Sequence, residues 1–207
     1  YESDGAADPS WTAADIATSA DGAYYVTVSD LDRDGDMDII SASIEDDAIA
    51  IYFNNGAADP SWSASDIATS ADNARSVFAA DLDNDGDIDI VSASKNDDAI
   101  AWYENTTSTA FTPTYTANTI STSAEGASYV FATDMDKDGD MDVLSASWNG
   151  DNISWYQNDG NLNFTSNTIS TDVNQPSSIF ATDLDGDGDM DVLSAAHEGD
   201  EIAWYEN

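Results

Sequence analysis

The sequence predicts an all-β fold, a β-propeller of four four-stranded antiparallel blades that occupies residues 1–207 as one domain. Three observations support this prediction. An acidic segment recurs four times at intervals of about 50 residues. Short apolar runs rich in β-branched and aromatic residues flank every copy, a composition typical of strands. Four-stranded sheets repeated at a period of roughly 40–50 residues are typical of propeller blades.

The four acidic segments define the repeat. They read DLDRDGDMD, DLDNDGDID, DMDKDGDMD and DLDGDGDMD, and they occupy residues 30–38, 81–89, 134–142 and 183–191. A run such as YYVTVSD or RSVFAAD precedes each segment, and IISAS, IVSAS, VLSAS or VLSAA follows it. Next come AIAIYFN, AIAWYEN, NISWYQN or EIAWYEN, and a weaker segment centred on DIATS or NTIST comes last. The whole chain is therefore four copies of one unit.

The second unit illustrates the strands that we predict for a blade. Strand A is Ser76–Ala80, strand B is Asp89–Ser94, strand C is Ala99–Glu104, and strand D lies around Phe111–Ile120. Strand A has apolar side chains on both faces, which predicts a sheet with a neighbouring sheet on each side. A linear β-solenoid is the structural alternative, but its repeats are usually shorter.

The two ends of the chain bear on how the blades assemble. Residues 1–11 (YESDGAADPSW) match residues 52–62 (YFNNGAADPSW), so we expect the chain to begin at the tail of a strand C and to continue through a strand D. It ends on a strand C. The N-terminal strand could complete the last blade of a closed four-bladed ring. Alternatively, two chains could exchange that strand to form eight blades, or the sequence could be part of a longer array.

Composition limits the classes of partner. The chain carries 42 acidic and 4 basic residues, a net charge of −38, and no cysteine. Phosphate backbones and anionic lipids are bound through Lys and Arg, so nucleic-acid partners and membrane insertion are not expected. No apolar run approaches the length of a membrane span. A mature secreted or cell-surface protein in a calcium-rich exterior fits this composition best.

Each acidic segment has the composition of a metal-binding loop. Five carboxylates fall at positions 1, 3, 5, 7 and 9, and their mutual repulsion requires a compensating cation. Glycine at position 6 permits a sharp turn. Flexible coordination by oxygen atoms alone suits Ca²⁺, whereas transition metals favour His or Cys ligands. An EF-hand is excluded because position 12 is Ser in all four loops and because the flanking segments are predicted strands.

The pattern DxDxDGDxD between two strands resembles the FG-GAP/VCBS repeat family, the calcium-loop propeller blades of integrin α-chain heads and many bacterial secreted proteins. The resemblance implies about four Ca²⁺ ions, one per repeat. It also implies that positions 1, 3, 5 and 9 bind through side chains and that position 7 binds through its backbone carbonyl. The implied metal residues are Asp30, Asp32, Asp34, Asp36 and Asp38; Asp81, Asp83, Asp85, Asp87 and Asp89; Asp134, Asp136, Asp138, Asp140 and Asp142; and Asp183, Asp185, Asp187, Asp189 and Asp191.

The sequence predicts binding rather than catalysis. There is one histidine, His197, and no G-x-S-x-G turn, so no enzyme is expected. The four copies differ at the B–C turn and at the start of strand A, which a propeller places on the face opposite the calcium loops. The predicted ligand pocket on that face consists of Tyr24, Arg75, Lys95, Trp148 and His197. Neutral drift on exposed turns is the other interpretation of these differences.

The resulting functional prediction is an extracellular calcium-binding repeat protein that acts as an adhesion or ligand-binding module, with a glycan or a protein as partner. Two alternatives are a structural module that self-assembles by N-terminal strand exchange into a homo-oligomer, and a non-catalytic accessory propeller of a secreted polysaccharide-degrading enzyme.

Overall fold

The computed structural model describes residues 2–3, 11–107 and 113–207. The regular structure in these ranges is entirely β. The strands are β1 (Glu2–Ser3), β2 (Trp11–Thr12), β3 (Ala23–Ser29), β4 (Asp38–Ser43), β5 (Ala48–Asn54), β6 (Trp62–Ala68), β7 (Ala74–Ala80), β8 (Asp89–Ser94), β9 (Ala99–Asn105), β10 (Tyr115–Ser121), β11 (Ala127–Thr133), β12 (Asp142–Ser147), β13 (Asn152–Asn158), β14 (Phe164–Ser170), β15 (Pro176–Thr182), β16 (Asp191–Ala196) and β17 (Glu201–Tyr205).

The strands form four antiparallel sheets that follow chain order. Strands β3–β6, β7–β10 and β11–β14 make three four-stranded sheets, and β15–β17 make a three-stranded one. The prediction of an all-β protein with four antiparallel sheets is therefore confirmed. The prediction of four strands in every sheet holds for three of them, because in the described residues the fourth sheet ends at β17 and has three strands. In the second sheet, predicted strand B coincides with β8, and predicted strands A and C are β7 and β9 with slightly wider bounds. Strand D is β10, and Phe111, where the prediction began it, lies outside the described residues.

Three apolar clusters join consecutive sheets. Between the first and second sheets, Ile40 and Ile49 lie in one cluster with Val77. On the other face of the second sheet, Phe78 packs against a cluster that includes Val130 of the third sheet. A third cluster joins the third and fourth sheets. Strand β7 is thus covered on both faces, as its side-chain pattern predicts.

The first strand of each sheet lies next to the first strand of the following sheet. Strand β7 packs against β3 and β11, and β11 also packs against β15. The rings of Phe78, Phe131 and Phe180 form a row along three of these strands, with centroid separations of 4.9 and 5.0 Å. The hydroxyl groups of Tyr25 and Tyr129 lie 3.1 Å apart and connect the first sheet to the third.

The first and fourth sheets each leave one apolar face uncovered. On the first sheet, Val26 and Val28 are 64% and 58% exposed, whereas Val77, the counterpart of Val26 in the second sheet, is buried. On the fourth sheet, Ile202 is 78% exposed, whereas its counterpart Ile100 is fully buried. Packing of β3 on β15 comparable to that between neighbouring sheets is absent from the described residues. A closed propeller is therefore not confirmed.

The N-terminal segment repeats an outer hairpin. Strands β1 and β2 pair through Glu2–Thr12 and Ser3–Trp11. This register matches that of Phe53–Ser63 and Asn54–Trp62 in the first sheet, as the sequence match predicts. Within the described residues, β2 pairs with β1 and not with β17, which is the edge of the fourth sheet. The strand order thus does not confirm that the N-terminal strand completes this sheet.

Candidate metal centres

Each acidic loop joins the first two strands of a sheet, so all four loops lie at the same end of their sheets. Positions 4 and 6 of each loop turn the backbone through the left-handed region. In the first loop, φ is 61° at Arg33 and 95° at Gly35. A Cβ built on Gly35 would meet no atom within 4 Å. Glycine is therefore favoured at position 6 because of the backbone conformation. A side chain there would have space.

Side-chain oxygens hold the loop backbone in place. In the first loop, Asp30 Oδ2 accepts a hydrogen bond from the Gly35 N–H (3.1 Å). Asp32 Oδ1 accepts one from the Asp34 N–H (3.2 Å), and Asp34 Oδ1 accepts one from the Asp36 N–H (2.9 Å). The same three bonds recur in the other three loops. Each bond occupies one oxygen of its carboxylate. In two cases the other oxygen also has a donor, because Asp136 Oδ2 accepts from Gln157 Nε2 (2.6 Å) and Asp183 Oδ1 accepts from the Gly186 N–H (2.7 Å).

The loops bring most of the predicted side-chain ligands together. In each loop, carboxylate oxygens from three aspartates lie within 4.8 Å of one another. The groups are Asp30, Asp32 and Asp38; Asp81, Asp83 and Asp85; Asp134, Asp136 and Asp142; and Asp183, Asp185 and Asp191. Four predicted side-chain ligands lie outside these groups, namely Asp34, Asp89, Asp138 and Asp187. The position-7 side chains of Asp36, Asp87, Asp140 and Asp189 also lie outside, consistent with a predicted contribution from the backbone alone.

Position 1 contributes a buried carboxylate oxygen that lacks a hydrogen-bond partner in three of the loops. The Oδ1 atoms of Asp30, Asp81 and Asp134 are buried, and they accept no hydrogen bond from the described residues. Leaving a buried acceptor unpaired costs about 1–3 kcal/mol, and more when the group is charged. In the fourth loop, the equivalent oxygen of Asp183 accepts a hydrogen bond from the Gly186 N–H (2.7 Å). Clustered carboxylate oxygens without His or Cys fit a hard cation such as Ca²⁺.

Position 9 connects the loop to the sheet. Asp89 Oδ2 accepts a hydrogen bond from the Leu82 N–H (3.0 Å), and Asp89 Oδ1 accepts one from the Asn105 N–H (2.7 Å). Asp38, Asp142 and Asp191 make the same pair of bonds. Sequence reasoning missed the partner asparagines, which are Asn54, Asn105, Asn158 and Asn207. The sequence does indicate these residues, because the runs AIAIYFN, AIAWYEN, NISWYQN and EIAWYEN all end in Asn.

Burial changes the acidity of position 9. Burial raises the pKa of Asp89 to about 7, although the N–H donors of Asn105 and Leu82 oppose the shift. Burial also raises the pKa of Asp38 and of Asp142. In the fourth loop, the Asn207 N–H donor is the main influence and lowers the pKa of Asp191. Without a cation, the Asp89 carboxyl of the second loop therefore titrates near neutral pH, because its pKa is raised to about 7.

This shift predicts the pH dependence of the calcium-free protein. The pKa of Asp89 is higher in the folded state than the value of about 3.9 for an unfolded chain, so the folded state binds more protons between about pH 4 and pH 7. The contribution of Asp89 to stability is then lost as pH rises through this window. In EDTA, we expect a higher melting temperature at pH 5 than at pH 8, measured by circular dichroism. Asp89→Asn should reduce this difference in melting temperature, whereas Asp191→Asn should not. The same difference in the wild type and in both variants would contradict the assignment of the pH dependence to Asp89.

Hydrogen bonds and ion pairs connect each loop to the next through position 4. Arg33 pairs with Asp87 of the second loop. Asn84 Nδ2 donates to Asp140 Oδ1 of the third loop (3.0 Å), and Lys137 Nζ lies 3.0 Å from Asp189 Oδ1 of the fourth loop. The acceptor is always the position-7 carboxylate, which lies outside the oxygen clusters. These bridges explain an acidic residue at position 7, a role that sequence reasoning missed.

The five residues of the predicted ligand pocket lie at the opposite end of the sheets and form a continuous row. The Arg75 guanidinium lies 4.7 Å from the centre of the Tyr24 ring. Lys95 Nζ lies 4.9 Å from the centre of the Trp148 ring, which in turn lies 5.2 Å from the His197 ring. Arg75 is also close enough to Lys95 to help lower the lysine pKa, although burial is the larger cause. The row therefore crosses all four sheets.

Taken together, the fold and the loops define a class of protein: an all-β repeat protein with one acidic, cation-fitting loop in each sheet. The chain matches the FG-GAP-like repeat family over residues 30–92, 81–145 and 134–194. Because these matches cover most of the sequence, the chain belongs to this family. The resemblance inferred from the loop motif is thus confirmed.

A similar fold occurs in a solved structure, that of the V. cholerae biofilm matrix protein Bap1. The TM-score is 0.50 and the sequence identity is 24%. The similarity covers 87% of this chain and 26% of that chain, so this chain spans about a quarter of its length. At this identity the likeness is one of fold. No curated protein sequence matches the chain significantly. Within the described residues, no helix has the length and apolar character required to cross a membrane.

Proposed function

We propose that this protein is an extracellular calcium-binding module in which each repeat holds one Ca²⁺ and the ions stabilise a non-catalytic binding scaffold. The observation that carries the proposal is the buried Oδ1 atom without a hydrogen-bond partner at position 1 of three loops, because each belongs to an aspartate whose carboxylate is one of three that cluster within 4.8 Å. The residues that would hold the ion are the loop aspartates at positions 1, 3, 5 and 9, with the carbonyl of position 7. Family membership and the biofilm matrix protein of similar fold support an extracellular location.

Calorimetric titration of calcium into EDTA-treated, dialysed protein tests the proposal directly. The expected stoichiometry is about four ions per chain, with dissociation constants around 10⁻⁴ to 10⁻³ M, the range typical of extracellular calcium modules. Substituting Asp81→Asn and Asp83→Asn together should remove one ion from the stoichiometry and leave the others. Absence of any calcium uptake would refute the proposal.

The scaffold that we propose is a β-propeller arrangement of the four sheets, with the loops on one face and the cation–aromatic row on the other. The cation–aromatic row consists of Tyr24, Arg75, Lys95, Trp148 and His197. Its position supports a role in adhesion or ligand binding, because the repeats differ from one another at these positions while their framework is nearly constant. Screening a glycan array with the wild-type protein and with Trp148→Ala tests this role. Binding that the substitution abolishes is the expected result.

A second proposed function is self-assembly through the uncovered faces of the first and fourth sheets. The fourth sheet exposes Phe180, Ile202 and Trp204, whose counterparts in the inner sheets pack against the following sheet. The first sheet exposes Val26 and Val28. Their counterparts in the second sheet, Val77 and Ala79, pack against the preceding sheet. The two faces are therefore complementary, so the fourth sheet of one copy fits the first sheet of another. The N-terminal segment could also complete the three-stranded sheet of a partner copy.

Light scattering after size-exclusion chromatography tests assembly. We expect the calcium-loaded chain to have about twice the monomer mass of 22.0 kDa. Ile202→Glu should restore the monomer mass with little change in folding, because this side chain is exposed within a single chain. Ser166→Glu, which adds the same charge to an exposed position on outer strand β14, is the matched control and should leave the mass unchanged. A monomeric wild-type protein at high concentration would disprove self-assembly.

A further inference from the structure

We infer that the cation–aromatic row binds an acidic polysaccharide, an extended chain of sugar rings that carry carboxylate or sulfate groups. This inference rests on the proposed ligand-binding function and names the class of ligand. It is carried by the distribution of the four basic residues, by the contacts of the row, and by the way the row extends over the four sheets.

The four basic residues of the chain fall into two pairs with different surroundings. Arg33 and Lys137 lie on the calcium-loop face, and each pairs with a carboxylate of the next loop. Arg75 and Lys95 lie on the opposite face, and within the described ranges no carboxylate oxygen lies within ion-pair distance of either side chain. Although the chain has 42 acidic residues and 4 basic ones, two of the cations thus lack a carboxylate partner among the described residues. On a chain whose net charge is −38, these two cations attract an anion only at short range, because salt screens the charges of the rest of the surface beyond about 10 Å.

Contacts within the row hold these two cations at the surface. Arg75 stacks on Tyr24, and its Nε donates a hydrogen bond to Asn73 Oδ1 (2.7 Å). Lys95 stacks on Trp148 of the next sheet. Cation–π contacts position a charged group without neutralising it. Both side chains therefore retain donors for a carboxylate or sulfate oxygen, with which guanidinium and ammonium groups form strong charge-assisted bonds.

The aromatic members favour a sugar polymer over a small anion. Tyr24, Trp148 and His197 are contributed by the first, third and fourth sheets, and the two cations come from the second, so the row is long and follows the succession of sheets. Aromatic side chains supply apolar surface for sugar rings, and the cations supply the polar contacts that select an acidic sugar. At the end of the row, His197 Nδ1 lies 3.6 Å from Glu198 Oε1, so this residue is assigned to ring contact rather than to anion binding.

Calorimetry with defined sugars tests the inference. The probes are a short oligogalacturonate for carboxylate, dextran sulfate for sulfate, and dextran as the neutral chain, each titrated into calcium-loaded protein. We expect binding of at least one acidic probe, at least tenfold weaker binding of dextran, and a loss of about tenfold in Lys95→Gln and in Arg75→Gln. Lys137→Gln removes the same charge from the calcium-loop face and should change affinity less than twofold. Binding through the calcium ions themselves would leave Lys95→Gln and Arg75→Gln at wild-type affinity, and that result would overturn the inference.

The possible results distinguish a failure of the acidic-polysaccharide inference from a failure of the proposed ligand-binding function. Acidic binding that depends on Lys95 and Arg75 supports the inference, and the better of the two acidic probes identifies the anionic group. If dextran binds as well as the acidic chains and Trp148→Ala abolishes binding, the inference is wrong while the ligand-binding function stands. If Lys95→Gln and Lys137→Gln weaken binding equally, the attraction is not specific to the row, and the inference is overturned. Absence of binding to every probe overturns it as well.

Discussion

Removing calcium with EDTA is expected to lower the melting temperature of this protein by about 20 °C or more. Each ion held at 100 times its dissociation constant stabilises the folded state by about 2.7 kcal/mol, and a change of 1 kcal/mol moves the melting temperature of a chain of this size by roughly 2–4 °C. Four independent sites therefore contribute on the order of 10 kcal/mol, comparable to the total stability of a typical domain.

The physical source of this effect is the repulsion within each loop. Neighbouring carboxylates about 5 Å apart repel one another by roughly 3 kcal/mol at an effective dielectric constant near 20. Removal of the ion also leaves the buried Oδ1 atoms of Asp30, Asp81 and Asp134 without a partner. Part of the strain is relieved by protonation, because burial raises the pKa of Asp89 to about 7. The calcium-free protein should therefore be weakest at alkaline pH.

Thermal unfolding followed by circular dichroism at pH 8 measures the effect. EDTA already saturated with calcium is the control, and it should leave the melting temperature unchanged. A second control, NaCl at equal ionic strength, separates general screening of the −38 charge from specific ion binding. The same melting temperature with calcium and with EDTA would contradict a stabilising role for the loops.

Much of the fold follows from local features of the repeat. The alternation around Val77 and Phe78 requires a sheet covered on both faces, and the structure covers both. The spacing of the loop aspartates predicts convergent oxygens, and three per loop converge. The differences among the four copies indicate the positions of the cation–aromatic row, because these positions lie on turns that the framework leaves free to vary.

Other features depend on distances between sheets, which a single repeat does not encode. The bond between Lys137 and Asp189 forms because two loops that are distant in sequence lie side by side. The partnership of Asp89 with Asn105 likewise spans the length of a hairpin. Ring closure depends on small rotations between neighbouring sheets, which add up along the array. The sequence of a single repeat does not determine these rotations. For this reason the sequence permits several assemblies.

Replacing Asp142 by alanine is expected to destabilise the protein by about 3–5 kcal/mol even when calcium is abundant. Asp142 is fully buried, and its two oxygens accept hydrogen bonds from the backbone N–H groups of Met135 (3.1 Å) and Asn158 (2.8 Å). The substitution leaves two buried donors unpaired, each at a cost of about 1–3 kcal/mol, and removes one of the clustered ligand oxygens of the third loop.

The matched control is Asp140→Ala in the same loop. Its carboxylate lies outside the oxygen cluster and accepts an exposed hydrogen bond from Asn84 Nδ2, so its loss should cost less than about 1 kcal/mol. Urea unfolding in excess calcium compares the two variants, and the midpoint of Asp142→Ala should fall far below that of Asp140→Ala. Similar midpoints would mean that Asp142 affects stability only through its charge. The predicted difference instead means that position 9 both binds the ion and connects the loop to the two adjoining strands. Loss of the ion then destabilises the sheet directly.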